Sequence, residues 1–147
     1  MNADELKNSL PKQTMLEKLH EESRNWLSSI AFWKDEIRFM HRLINDNFVY
    51  FLAKDQAGSF NALQTKIRES VETRLNVLKV EVVNHEKRIS DHLKYDIDLD
   101  FQFFTKEHEN IANDIARFQT NYRLVKTELF NQAEEVLKEK DIKKLVA

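Results

Sequence analysis

Apolar residues recur along this chain in alternating steps of three and four, and that periodicity constrains the fold more than any other feature. The first run is Leu16, Leu19, Ser23, Trp26, Ile30, Trp33, Ile37, Met40, Ile44, Asn47 and Phe51. Such spacing lays every member on one stripe of an α-helix, the heptad seam along which helices pack as in a coiled coil. A second run follows with Phe60, Leu63, Ile67, Val71, Leu75, Leu78, Val82, His85, Ile89 and His92. The third is Phe101, Phe104, His108, Ile111, Ile115, Phe118, Tyr122, Val125, Leu129, Gln132 and Val136. No segment alternates apolar and polar residues for long, so strands are not expected.

The breaks between the runs are few because the 147 residues include one glycine and one proline. Met1 to Leu10 is polar, and Pro11 is tolerated in a first helical turn. Thr14 followed by Glu17 has the spacing of a capping box, which predicts a start for helix 1 between Leu10 and Met15. The stretch AKDQAGS, 53–59, holds the only glycine, Gly58, and suits a helix end, with Ser59 as cap of the next helix. Within the second run, Ile67, Val71 and Leu75 follow one another by fours, the mark of a stutter. YDIDLD, 95–100, separates the second run from the third, and its aspartates are candidate caps.

The prediction is therefore all-α, with helix 1 over about 11–53, helix 2 over about 59–95 and helix 3 over about 99–141. Short connections imply one domain over 1–147, an elongated up-down-up antiparallel three-helix bundle with coiled-coil-like seams. In outline this resembles spectrin-type three-helix repeats, which likewise place tryptophan in a long first helix. The resemblance is one of architecture.

Charge and composition exclude several functions. A net charge of -2, with both signs mixed along the chain, provides no field to attract nucleic acid or an anionic membrane. No run approaches the roughly 20 apolar residues of a membrane span. Cysteine is absent, which removes thiol chemistry and thiolate metal sites and suits a reducing compartment. We expect a soluble cytoplasmic protein. A single glycine cannot supply a phosphate loop, and nothing resembles a nucleophile elbow. The Lys34, Arg38, Arg42 stripe is interrupted by Asp35, Glu36 and Asp46, as on a solvated face.

Helix 1 carries more apolar surface than its seam requires. With Ile30 and Trp33 on the seam, Phe32, Phe39, Leu43 and Tyr50 fall off it, as do Leu27 and Phe48. A helix apolar over most of its circumference is expected to be surrounded, either by a second copy of the chain or by another protein. Long Lys or Arg stems offer a different cover for the same rings. Leu124, Phe130 and Leu137 lie off the seam of helix 3 in the same way.

The histidines are the other feature of interest. An up-down-up bundle gathers His20, His85, His92 and His108 toward the end opposite Gly58, with Glu17, Glu21, Glu22, Glu107 and Glu109 near. Imidazole and carboxylate together are what zinc, iron or manganese sites use, which makes His20, His85, His92, His108 and Glu17 candidate ligands. Against a metal, only Glu17 to His20 has Glu-x-x-His spacing, and neither His-x-x-x-His nor His-Glu-x-x-His occurs. Hydrogen-bonded polar seam residues are the simpler expectation. The sequence therefore predicts a non-enzymatic bundle without cofactor, acting by protein association and forming a homodimer through helix 1. A metal-binding bundle is the alternative.

Overall fold

The side chains that repeat at heptad spacing are the ones the fold buries. The computed structural model describes the backbone of residues 3–55, 58–95 and 101–146, and the side chains of 13–55, 58–94 and 101–141. Its helices are α1 (Ala3–Asp46), α2 (Phe48–Lys54), α3 (Ser59–Thr65), a π-helical segment (Lys66–Glu72), α4 (Thr73–Tyr95) and α5 (Phe101–Val146). Among the described residues there is no strand, and no helix is long and apolar enough to cross a membrane. In the first run every seam residue is buried except Trp26 and Trp33, which are half-buried. In the second only His92 is half-buried, and in the third only Phe101 and Gln132.

The chain divides into two compact units. Unit 1 comprises Met1–Ala31 and Val77–Ile115, unit 2 Phe32–Asn76 and Ala116–Ala147. In unit 1, Leu16, Leu19, Ile89 and Phe104 form a buried cluster against which Leu93 and Phe101 pack. Ser23 is buried beside it because its hydroxyl donates to the Leu19 carbonyl at 2.7 Å, which satisfies the polar group within its own helix. Unit 2 is rich in ring contacts: Phe51 stacks on Phe60 at 5.0 Å, Trp33 meets Phe118 at 5.0 Å, and Phe118 stacks on Tyr122 at 5.5 Å. Each such side chain taken from water contributes about 1.5–3 kcal/mol before the cost of ordering it.

The helix boundaries differ from the sequence expectation in four places. Helix 1 begins at Ala3 rather than between Leu10 and Met15, so Thr14 and Glu17 are exposed residues inside α1 and not a capping box. Ala3, Glu5, Leu6 and Lys7 are residue types of high helix propensity. Helix 1 also stops at Asp46, before resuming as α2. At the junction Asn47 has φ -122° and its N–H bonds back only three residues, to Ile44 O at 3.2 Å. The Asn47 side-chain amide then donates to Leu43 O at 3.0 Å, taking the place of the missing i to i-4 bond.

Third, Ser59 does not cap the second run. Gly58 precedes α3 in the left-handed conformation, φ 70°, and the Asp55 carboxylate accepts the Phe60 N–H at 3.0 Å. Fourth, the stutter is a local π-helical segment: Lys66–Glu72 widens the helix where the seam steps by fours, so that Ile67, Val71 and Leu75 stay buried on one face. Helix 3 is seen from Phe101, and the aspartate caps expected in 96–100 lie outside the described residues.

Candidate functional site

Unit 1 holds a chain of hydrogen-bonding groups assembled from three helices. His85 projects from a buried seam position of α4 and is fully excluded from solvent. Its Nδ1 lies 2.5 Å from Glu107 Oε1 of α5, and its Nε2 lies 2.9 Å from His108 Nδ1, one residue further along α5. Arg88, three residues beyond His85 and so on the same side of α4, forks onto the Glu107 carboxylate: Nε donates to Oε1 at 3.2 Å and Nη2 to Oε2 at 2.8 Å. The far ring nitrogen of His108, Nε2, lies 3.2 Å from Glu22 Oε2 of α1, yet it is buried and makes no hydrogen bond. The Trp26 ring stacks on His108 at 4.3 Å and 27°.

Burial is the main influence on His85 and lowers its pKa below the usual 6.5; Glu107 opposes that by its hydrogen bond and charge, while His108 and Arg88 lower it further. A neutral ring is therefore favoured at this position. On the outer side, Arg88 and Glu107 line an open groove of about 430 Å3 between α4 and α5, together with Val80, Asn84, Phe103 and Asn110.

The structure brings His85 and His108 together but gives the other candidate ligands separate surroundings. His20 Nδ1 lies 3.1 Å from Glu86 Oε1, without hydrogen-bond geometry. The His92 ring packs 5.4 Å from Phe104, with a buried Nδ1 that has no hydrogen-bond partner. Glu17 is exposed on α1. Among the described residues no group of three or more His, Cys, Asp or Glu is placed to hold a metal ion.

In unit 2, α1 presents Phe32 and Phe39, 61% and 52% exposed, with the exposed Asp35–Arg38 pair between them at 3.3 Å. Seven residues separate the two rings, so they lie on one face of the helix. Leu43 and Tyr50, expected with them, are half-buried, and Lys140 Nζ sits 5.8 Å from the centre of the Tyr50 ring. Lysine thus lies over Tyr50, whereas Phe32 and Phe39, the rings for which Lys or Arg stems were the alternative cover, are exposed. On α2, Phe48 leans on Phe60 at 6.2 Å while Val49 and Leu52 are exposed.

Sequence reasoning missed two features of these sites. Arg88 is one, although its three-residue spacing from His85 was a usable signal. The other is Glu36 in unit 2, which accepts a hydrogen bond from the buried Tyr122 hydroxyl and from Lys126 Nζ at 3.2 Å. Burial first, and then Glu36, raise the Tyr122 pKa above its ordinary value, so the phenol stays protonated as a donor. No protein-family model, curated protein or solved structure matches the chain.

Proposed function

We propose that this protein is a non-enzymatic three-helix bundle that acts by protein association, as a scaffold, adaptor or subunit, and that it pairs with a second copy through helix 1. The observation that carries the reading is the exposure of Phe32 and Phe39 on one face of α1. Two large rings at helical spacing, facing water, are what an interface helix presents before it is covered.

Contacts inside each unit support the up-down-up course. In unit 2 residue numbers rise together on α1 and α5, as Glu36 meets Lys126 and Asn47 meets Lys140. They run oppositely on the second and third runs, as Lys66 meets Glu128 and, nearer the start of α5, Arg74 and Arg117 share a pocket. Unit 1 by itself repeats the first relation in Leu19 with Phe104 and Glu22 with His108. The second relation recurs there in His85 with Glu107 and His92 with Phe104. A chain without cysteine supports the cytoplasmic location expected from the sequence.

Light scattering on the full chain tests the association. The wild type is expected at twice the monomer mass, and Phe32→Glu with Phe39→Glu at the monomer mass with an unchanged helical circular dichroism spectrum. Each buried ring contributes about 1.5–3 kcal/mol, so losing both from each copy weakens the pair by at least about 100-fold. A monomeric wild type, or a double variant that still pairs, would refute the proposal.

A further inference from the structure

The Glu107, His85, His108, Glu22 chain permits a count of its hydrogens. Glu107 already accepts from Arg88 and can only accept from His85, so His85 Nδ1 carries the hydrogen of the 2.5 Å contact. The neutral His85 ring then has a lone pair at Nε2. His108 Nδ1, 2.9 Å away, must be the donor to it. That choice leaves neutral His108 with a lone pair at Nε2, facing the acceptor-only carboxylate of Glu22 across 3.2 Å. Nε2 is thereby left as an acceptor facing an acceptor at a buried position, 3.2 Å apart and without hydrogen-bond geometry.

We propose that these four residues form a binding site for a single proton, with His108 Nε2 as the atom that takes it. Protonation there replaces the opposed lone pairs with an imidazolium 3.2 Å from the Glu22 carboxylate, an ion pair that ties the α4–α5 chain to α1. The Trp26 face stacked on His108 favours the imidazolium that results. Glu22, whose side chain is 48% exposed, gives the proton its path from water.

A second proton is excluded by geometry. Placed on His85 Nε2, it would set two N–H groups against each other at 2.9 Å. The lowered pKa of His85 agrees with this order. Charged groups from all three helices fit one added charge: Glu22 on α1, Arg88 on α4 and Glu107 on α5 face the pair, and Glu86 of α4 is turned to His20.

Long-range proton–nitrogen NMR of histidine-labelled full chain tests the site. Near pH 8 both rings are expected as Nδ1–H tautomers. On acidification the His108 Nε2 signal moves to the imidazolium position while His85 Nε2 stays unprotonated for as long as the chain remains folded. Glu22→Gln substitutes an amide that can donate to the neutral ring, and proton affinity at His108 falls at least about tenfold, a shift of about one pH unit. An Nε2–H tautomer of His108 near pH 8, or joint protonation of both rings in the folded chain, would overturn the proposal. So would a Glu22→Gln variant that folds and titrates as the wild type does.

Discussion

His85 sits between Val82 and Ile89 on the seam, and its burial follows from that spacing alone. Desolvation lowers its pKa from 6.5, which fixes the sign of one pH effect. In the window below pH 6.5 the unfolded chain protonates this ring and the folded chain does not. The stability His85 confers is therefore fully present above pH 6.5 and is lost as the pH falls toward the lower folded-state value, by at most about 1.4 kcal/mol per pH unit. Urea unfolding near pH 7.5 and near pH 5.5 should show a loss about 1 kcal/mol larger in the wild type than in His85→Gln. Equal losses would mean that His85 is protonated in the folded chain. What surrounds His85 was less legible than its depth. Glu22, Glu107 and His108 were placed near by helix length, but which nitrogen meets which oxygen depends on the rotation of three helices, and spacing does not set that. Asn47 is a similar case: an amide at a seam position announces a polar partner, but not that the partner is the Leu43 carbonyl and that α1 ends there.

At the scale of elements, the π-helical segment shows how a seam absorbs one extra residue. Three successive steps of four, from Leu63 through Ile67 and Val71 to Leu75, are legible in the sequence as an irregularity. A stutter spread along a supercoil and a local π turn satisfy that pattern equally, and tertiary packing selects between them. Removing the exposed Glu69 restores alternating threes and fours from Phe60 to His92 and converts the segment to ordinary α-helix. That deletion is expected to keep stability within about 1 kcal/mol of the wild type, because each seam side chain remains on its face. Deleting Lys79, equally exposed but in regular α4, turns the following seam by about 100° and should cost more than about 3 kcal/mol. Urea unfolding of the two deletions checks this, and similar losses would show that the π segment is not where the extra residue resides. Helix ends were the least legible part of the chain: Asp55 accepts the Phe60 N–H through a loop whose course the sequence does not specify, and Ser59 offered a nearer but unused cap.

For the whole molecule, the all-helical class was legible because heptad spacing persists through nearly the entire chain, and the buried set follows that spacing closely. Division into two compact units was not, since the seams run without change past Ala31 and Asn76. If two copies pair through helix 1, stability belongs to the pair and depends on mass action. Raising protein concentration from about 1 to about 100 µM should raise the Tm of the wild type and leave that of Phe32→Glu with Phe39→Glu unchanged. A wild-type Tm that ignores concentration would speak for a monomer. The 2.9 Å contact between His85 and His108 has a consequence at this scale too. Because it admits one hydrogen, the site has a Hill slope of one, and its occupancy passes from a tenth to nine-tenths over about two pH units. Sharp thresholds require several protons bound together; a lone proton makes a dial, its charge state graded across the range in which it responds.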